Sequence, residues 1–213
     1  MNKRTQIDET LTLIMDPECY TVNTRCSEEL VQAIHAVQDK FIERFGDAVF
    51  CPRGADLHAT LLDWLNPFVH YSKDKGILFD EMRDSWEEVT RKVLETFAPV
   101  EVRFGKLAYR KKVICLEGFD NGELNKMRES LNQKGFLPLT NKVPPADIHI
   151  TVVAFREELD EGEVQDLFAE DEISIYEHVR AFRLVYSPKA RLQDHVEIAL
   201  FELNGNSSEL RVT

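Results

Sequence analysis

Two nine-residue stretches of the sequence resemble each other, DLHATLLDW at positions 56–64 and DIHITVVAF at positions 147–155, and they start 91 residues apart. An Asp, a His, a Thr and a final aromatic residue coincide in the two stretches, and four further positions are apolar in both. Pro52 precedes the first stretch and Pro144-Pro145 precede the second, which indicates a turn before each. A repeat of this kind predicts two related lobes, each of which contributes an equivalent strand.

The alternation of side chains along a strand assigns the faces of both stretches. His58 and Thr60 project from one face of the first strand, and His149 and Thr151 project from the corresponding face of the second. The opposite face is apolar in both strands, which predicts that it belongs to the core. Burying polar side chains without partners is costly, so the His and Thr pairs must meet other polar groups. A further His-x-Ser occurrence at 70–72 has no apolar flanks, and we treat it as accidental.

The rest of the chain alternates helical and strand patterns. The periodicity predicts helices at 28–45, 85–97, 123–133 and 163–170, the first one capped by Ser27 and stopped by Gly46. It predicts strand pairs at 100–109 with 113–119 and at 179–186 with 195–203. We expect Gly135 to end the third helix and residues 204–213 to form a frayed tail. Because no Gly/Ser linker separates these patterns, we expect one α/β or α+β domain over residues 1–213.

Composition excludes several classes of protein. The 26 Lys and Arg residues against 38 Asp and Glu residues give a net charge of −12, which argues against a protein that coats long duplex nucleic acid. No apolar run approaches the roughly 18 residues of a membrane span or forms a signal peptide, so we expect a cytoplasmic protein with no membrane partner. The four cysteines contain no C-x-x-C pair and predict neither a zinc site nor a disulfide scaffold. The sequence leaves the oligomeric state open, and we favour a monomer.

Paired H-x-T strands in a chain of this size resemble the 2H phosphoesterase superfamily. The predicted order of a helix, an H-x-T strand, a helix, a hairpin, a helix, an H-x-T strand and a closing strand pair is similar as well. The resemblance implies an α+β, bilobal duplicated fold, in which two antiparallel β-sheets form a central cleft and the helices pack outside. It also implies a metal-independent phosphodiesterase without cofactors, whose substrate is a small 2′,3′-cyclic or 2′–5′-linked nucleotide or oligonucleotide.

The same resemblance implies the roles of the repeated side chains. His58 and His149 supply the general acid and the general base, and which one plays which role is left open. An unperturbed imidazole titrates near pH 6.5, so two of them predict a bell-shaped rate profile with both limbs near neutrality. The hydroxyls of Thr60 and Thr151 are expected to donate to the non-bridging phosphate oxygens.

Further candidates flank the repeated strands. Trp64 and Phe155 lie on the same faces by simple alternation, where a ring either stacks on a nucleobase or belongs to the core, and we include both as candidate substrate-binding residues. Positive potential at the cleft mouth is a candidate role for three residues near the motifs, Arg53, Lys142 and Arg156. The basic run at 110–112 predicts an exposed turn that can also touch a phosphate.

Two other functions stay open at this point. One is a binding module that sequesters a cyclic nucleotide or oligonucleotide without cleaving it. The other is a metal hydrolase that uses the histidines with Asp56, Asp63 or Asp147, although the repeat places a Thr and not a ligand two positions after each His. The substrate candidates are a cyclic phosphate at an RNA end, 2′–5′ oligoadenylate, a cyclic oligonucleotide signal and a small cyclic-phosphate metabolite. The acidic total charge favours a short or small one.

Overall fold

A computed structural model describes residues 3–8, 17–67, 69–133 and 147–205 as strands, helices and connecting loops. The strands are β1 (Cys19–Arg25), β2 (Val49–Phe50), β3 (His58–Leu65), β4 (Val100–Tyr109), β5 (Val113–Phe119), β6 (Ile148–Phe155), β7 (Ile175–Val179), β8 (Ala181–Ser187) and β9 (Val196–Glu202). The helices are α1 (Glu28–Phe45), α2 (Lys75–Leu94), α3 (Glu123–Gln133) and α4 (Glu161–Asp166). The protein is therefore α+β, as the sequence predicts.

All nine strands belong to one antiparallel sheet, in the order β7-β4-β5-β6-β3-β1-β8-β9, with the short β2 paired to β6. The sheet is curled, because the single residue Arg180 connects β7 at one edge to β8 near the other edge. The expected arrangement of two lobes with two separate sheets is not confirmed, since β3 and β6 join all the strands into one sheet. Helix α1 packs on β6 and β7, whereas α2 and α3 pack on β3.

The two H-x-T strands lie side by side at the middle of the sheet. The ladder between β3 and β6 contains one residue pair, Ala59 with Ile150, and both of these side chains are buried in the core. Because the strands are antiparallel, extending this register by one residue places His58 opposite Thr151 and Thr60 opposite His149. The repeated polar side chains consequently project together from the face of the sheet opposite the core.

Each H-x-T strand contains a β-bulge at the equivalent position of the repeat. In the pairing of β1 with β3, Val22 and Asn23 face Leu62 and Thr60, so Leu61 is the extra residue. In the pairing of β5 with β6, Ile114 and Cys115 face Val153 and Thr151, so Val152 is the extra residue. A bulge shifts the alternation of side chains by one position. Side chains that follow residues 61 and 152 therefore lie on the opposite face of the sheet from the one that simple alternation predicts.

A buried polar side chain from a helix satisfies the backbone at each bulge. Gln38 of α1 donates through Nε2 to the carbonyl of Val152 at 2.9 Å and to that of Pro52 at 2.7 Å. Arg128 of α3 donates through Nε to the carbonyl of Leu61 at 2.9 Å. The extra residue of a bulge lies outside the ladder, and a buried carbonyl without a donor is costly, so these two side chains hold the helices against the bulged strands.

The first helix forms where the sequence predicts it, because its end signals and its apolar face agree. The Ser27 hydroxyl accepts from the backbone N–H of Leu30 at 3.2 Å, which caps the helix. Gly46 follows the helix with a φ of 52°, a left-handed conformation that a residue without Cβ adopts readily. Residues at helical spacing then bury one face against the sheet, namely Leu30, Ile34, Val37 and Phe41.

Several element boundaries differ from the prediction. Helix α2 begins at Lys75 rather than 85, because Asp74 caps it by accepting from the N–H of Ile77, and α4 spans 161–166 rather than 163–170. The predicted strand 179–186 is split at Arg180 between β7 and β8. Strands β1 and β2 were missed, because neither has alternating polarity that stands out from its neighbours. The two predicted hairpins are confirmed to the extent that β4 pairs with β5 and β8 pairs with β9.

Some predictions fall outside the described residues. These are the Pro144-Pro145 turn, the stop at Gly135, the position of Lys142 and the tail from residue 206 onward. Among the helices that the structure describes, none is long and apolar enough to span a membrane.

Replacing Gln38 by Leu tests the role of the bulge contacts. The substitution leaves the carbonyls of Val152 and Pro52 buried without their donor, so we expect the free energy of unfolding to fall by about 1–3 kcal/mol. Gln32→Leu is a matched control, because Gln32 lies exposed on the same helix, and we expect a change within about 0.5 kcal/mol. Urea unfolding followed by circular dichroism measures both variants, and equal stabilities would contradict this role of Gln38.

Candidate active site

The four repeated polar side chains line one pocket at the centre of the sheet. His58, Thr60, His149 and Thr151 are all half-buried, and they share this pocket with six further residues, Cys19, Thr21, Asp63, Pro67, Arg191 and Leu192. The residues come from β1, β3, β6 and the loops after β3 and β8. The two imidazoles and two hydroxyls of the repeat therefore converge with the Arg191 guanidinium where β3 and β6 meet.

His58 is held as a neutral imidazole with a defined tautomer. Its Nδ1 lies 2.7 Å from the backbone carbonyl of Asp56, and because a carbonyl only accepts, Nδ1 carries the proton. Burial lowers the pKa of His58 from 6.5 to about 4, an effect that the Asp56 carbonyl opposes and that nearby Arg183 and Arg191 strengthen. The neutral ring therefore has its lone pair on Nε2, the position that a general base uses.

The loop that carries the Asp56 carbonyl is held in place by a network of half-buried and buried side chains. Oδ1 of Asp56 lies 3.1 Å from Nδ1 of His195, and Nε2 of His195 lies 3.0 Å from Nη1 of Arg183. Since a guanidinium only donates, the network assigns the proton of His195 to Nδ1, which also donates to the carbonyl of Leu192 at 2.9 Å. Arg183 reaches the same loop directly by donating to the carbonyl of Ala55 at 2.8 Å.

His149 has a different partner. Its Nδ1 lies 3.5 Å from Oδ2 of Asp147 and makes no closer hydrogen bond. Burial lowers the pKa of His149 below 6.5, but the Asp147 carboxylate opposes that shift because it stabilises the imidazolium. Asp147 is in turn bound by Arg110 at 2.6 Å, and although burial alone raises its pKa, this hydrogen bond and charge hold it below the usual range.

The repeat therefore places an Asp two positions before each His and uses the two carboxylates differently. Asp147 turns its carboxylate towards His149, whereas Asp56 turns its carboxylate towards His195 and presents only a backbone carbonyl to His58. A carboxylate favours the charged form of a nearby imidazole, whereas a carbonyl fixes the proton on Nδ1 without supplying a full negative charge, and burial then keeps the His58 ring neutral. The two imidazoles of the pocket are consequently inequivalent.

Trp64 and Phe155, both candidates for substrate binding, lie in the core and do not line the pocket. Trp64 is 1% exposed and stacks on Trp86, with ring centroids 5.1 Å apart, and Phe155 is 0% exposed. The bulges at Leu61 and Val152 explain this difference from the prediction, because they reverse the side-chain alternation before each aromatic residue is reached. Neither ring has a face on which a nucleobase can stack.

The basic residues predicted near the cleft are engaged elsewhere. Arg53 pairs with Asp39 at 2.6 Å, and the Arg156 guanidinium lies over the ring of Phe50 at 5.6 Å. Within the predicted basic turn, Arg110 is half-buried and binds Asp147 and Glu117 behind His149, so its role is to orient a carboxylate rather than to meet solvent. Neither Arg53 nor Arg156 lines the pocket.

Sequence reasoning missed Arg191, Arg183 and His195. Arg191 and His195 belong to the loop after β8, far along the chain from both motifs, and no local pattern distinguishes them. Arg183 does carry a signal, because it interrupts the apolar run of β8, AFRLVYS, and a charge in a buried strand needs a partner. It is 1% exposed and bonds Asn23 as well as His195.

The candidate metal ligands are dispersed. Across residues 3–8, 17–67, 69–133 and 147–205, no group of three or more His, Cys, Asp or Glu side chains is arranged to hold a metal ion. Of the three carboxylates considered for such a site, Asp56 faces His195, Asp147 binds Arg110, and Asp63 lines the pocket next to Asn66 at 2.8 Å.

Replacing Asp147 by Asn tests the electrostatics of the second half of the pocket. The substitution removes the charge that stabilises the imidazolium of His149, so we expect the pKa of His149 to fall further, while that of His58 stays unchanged. Titration of the imidazole resonances by NMR measures both groups, and Asp39→Asn, which removes an exposed carboxylate, is the control. An unchanged His149 titration in Asp147→Asn would contradict this account.

No protein-family model matches the sequence, and no curated protein is significantly similar to it. Solved structures are nevertheless similar in fold. TT0787 of Thermus thermophilus superposes with a TM-score of 0.66 at 16% identity, covering 88% of this chain and 99% of that one. The conserved protein of unknown function ATU0111 from Agrobacterium tumefaciens gives 0.61 at 15% identity, covering 92% and 94%. Escherichia coli LigT complexed with NADP+ gives 0.57 at 16% identity, covering 88% and 98%. The protein therefore has the LigT-like fold that is expected of a 2H phosphoesterase.

Proposed function

We propose that the protein is a metal-independent phosphodiesterase that hydrolyses a small 2′,3′-cyclic or 2′–5′-linked nucleotide or oligonucleotide. The observation that carries the proposal is the convergence of His58, Thr60, His149 and Thr151 in one pocket, with a backbone carbonyl bonded to His58 and a carboxylate facing His149. Hydrolysis of a phosphodiester needs one group that removes a proton from the nucleophile and another that protonates the leaving oxygen.

His58 is the general base in this proposal. Its Nδ1 proton is committed to the Asp56 carbonyl, so the lone pair on Nε2 is free to accept a proton from water. The lowered pKa keeps the ring neutral at every pH above about 4. His195 and Arg183 support this role at a distance, because they hold the loop that presents the carbonyl.

His149 is the general acid. Its Nδ1 faces the Asp147 carboxylate, which stabilises the protonated ring before the reaction. If the roles were exchanged, the productive state would need a proton on His58, whose pKa burial lowers to about 4 and which has no carboxylate bonded to its ring, while the carboxylate-supported His149 was neutral. The carboxylate beside His149 and the carbonyl beside His58 therefore favour His58 as base and His149 as acid.

The chemical step follows from these roles. His58 Nε2 takes a proton from a water molecule as the water oxygen bonds to phosphorus, and the bond from phosphorus to the leaving ester oxygen breaks. His149 gives its proton to that leaving oxygen, so one water adds across the P–O bond and a phosphomonoester results. The hydroxyls of Thr60 and Thr151 donate to the non-bridging oxygens, where negative charge is held during the transfer.

The substrate class is supported by the ligands of a protein with the same fold. Solved structures of Escherichia coli LigT are complexes with 3′-AMP, with phosphate and with NADP+. A phosphate-bearing nucleotide suits the pocket proposed here, because its lining offers neutral hydroxyl donors and one guanidinium within a protein of net charge −12. That total charge also favours a short substrate over a long nucleic acid.

Replacing either pocket histidine by Ala is the direct test. We expect His58→Ala and His149→Ala each to lower kcat/KM for 2′,3′-cyclic AMP by about 10²–10⁴-fold, with little change in melting temperature, because each removes one proton transfer. His178→Ala is the control, since the His178 side chain is 65% exposed on the edge strand β7. Phosphorus NMR follows the reaction and reports which ester bond breaks.

The outcomes separate the proposal from its alternatives. Full activity in either histidine variant contradicts the two-histidine mechanism, and loss of activity in EDTA with recovery on adding a divalent metal contradicts metal independence. Tight calorimetric binding of the cyclic nucleotide by the unmodified protein with no product after long incubation indicates the binding module instead.

The pH dependence of kcat/KM tests the assignment of acid and base. As the pH falls through the His58 pKa of about 4, the base becomes protonated and the rate falls. As the pH rises through the His149 pKa, which lies below 6.5, the acid loses its proton and the rate falls again. We therefore expect a maximum on the acid side of pH 6.5, below the range expected for two unperturbed imidazoles.

Asp147→Asn distinguishes the two limbs of that profile. Because the substitution lowers only the His149 pKa, the alkaline limb is expected to move to lower pH while the acid limb stays in place. Movement of the acid limb instead would assign His149 as the base.

A further inference from the structure

We propose that Arg191 is a phosphate-binding residue of this pocket and that Asp8, from the N-terminal segment, is the residue that positions it. The inference rests on the proposed function insofar as the ligand is a phosphate ester. It adds to that function an electrostatic anchor outside the H-x-T motifs and a role for a segment that precedes the first described strand.

Arg191 points one edge of its guanidinium at the phosphate-binding side of the pocket. Its Nη1 donates to Oγ1 of Thr151 at 3.2 Å, and the residue lines the pocket together with both imidazoles. Among the described residues of the pocket lining, Arg191 is the one Lys or Arg. A guanidinium beside a threonine hydroxyl provides several N–H donors in a planar fork, an arrangement that suits the oxygens of a phosphate.

Asp8 binds the other edge of the same guanidinium. Its Oδ2 accepts from Nη2 of Arg191 at 2.5 Å and from Nε at 3.1 Å. Those two donors share the edge that points away from Thr151, so a phosphate can reach Nη1 without displacing the carboxylate. Asp8 is 1% exposed and does not line the pocket, which identifies it as a support for Arg191 and not a competitor for the ligand.

The position of Asp8 is set by the backbone of the N-terminal segment. Three N–H groups of this segment donate to carbonyls of two loops and one strand end, from Thr5 to Leu159 at 2.9 Å, from Gln6 to Lys111 at 2.9 Å and from Asp8 to Phe155 at 2.7 Å. Phe155 is the last residue of β6, the strand that carries Thr151. The segment is therefore hydrogen-bonded to the strand that presents Thr151, and it places the Asp8 carboxylate against Arg191.

The backbone at Arg191 is held in a conformation that non-glycine residues rarely adopt. Arg191, Leu192 and Asp194 have φ values of 62°, 55° and 57°, all in the left-handed region. The loop is anchored there by the buried Leu192 side chain, which packs with Cys19 and Val185, and by His195, which donates to the Leu192 carbonyl at 2.9 Å. Such strain persists only where surrounding contacts impose it, and it is found most often at functional sites.

Binding of 3′-AMP measured by isothermal titration calorimetry tests the inference without requiring turnover. We expect Arg191→Gln to weaken binding by about 10- to 100-fold, because it removes the charged donor at the phosphate. Arg191→Lys keeps the charge but not the fork, and we expect a loss of about 3- to 10-fold. Binding of adenosine, which has no phosphate, is expected to be the same in all variants.

The positioning role of Asp8 predicts that Asp8→Asn has opposite effects on 3′-AMP binding with and without Arg191. In the unmodified background, Asp8→Asn loosens the guanidinium, so we expect 3′-AMP to bind about 3- to 10-fold more weakly. In the Arg191→Gln background, the Asp8 carboxylate no longer binds a guanidinium and its negative charge disfavours a phosphate nearby, so the same substitution is expected to strengthen binding. The double variant carries neither charge and also guards against misfolding caused by removing the guanidinium from a buried carboxylate.

An exposed pair supplies the control. Arg53→Gln and Asp39→Asn change the same residue types in a pair with side chains 39% and 68% exposed, and we expect neither to alter 3′-AMP binding. Equal affinity of Arg191→Gln and the unmodified protein for 3′-AMP, with folding verified by melting temperature, overturns the role of Arg191. Tighter binding by Asp8→Asn in the unmodified background overturns the role of Asp8. A protein that binds 3′-AMP through Arg191 but does not cleave 2′,3′-cyclic AMP retains this inference while the proposed function fails.

Discussion

The structure depends on satisfying two buried carbonyls, those of Leu61 and Val152, at the bulges of the H-x-T strands. Each bulge takes one residue out of the ladder, and a helix supplies the missing donor from a buried side chain, Arg128 for the first and Gln38 for the second. Those contacts locate α1 and α3 on the sheet. They also stabilise the two bulges, which reverse the alternation of side chains along each strand. The His and Thr side chains before each bulge therefore face the pocket, and the aromatic side chains after it enter the core.

The two H-x-T strands are similar in sequence, but the partners of their histidines differ. The same Asp-x-His spacing produces a carboxylate beside His149 and a carbonyl beside His58, because the Asp56 carboxylate bonds His195, which Arg183 holds in turn. A fold built on related strands thereby acquires two imidazoles with different proton affinities. In the proposed mechanism that inequivalence favours the state in which one group holds a proton while the other accepts one.

Much of the fold and the centre of the site follow from local pattern. Ser27 and Gly46 mark the ends of α1 because capping is a local effect, and the apolar alternation of 57–61 and 148–152 predicts two buried strands. The same alternation fails beyond those residues, because a bulge is produced by the pairing partner and not by the strand's own sequence. Trp64 and Phe155 were therefore assigned to the wrong face. Arg191 and Asp8 have no local signal, since their pairing joins residues 183 positions apart.

The sequence by itself determined that His58, Thr60, His149 and Thr151 belong to one repeated unit and face away from the core, since both conclusions need only a period of two and a repeated motif. Tertiary structure decided that the two strands pair with each other, with Ala59 beside Ile150, and that each imidazole meets a different partner. Tertiary structure also decided that Arg191 lines the pocket. Hydrogen bonds and charges act over a few ångströms in space, so they depend on neighbours that only the folded chain brings together.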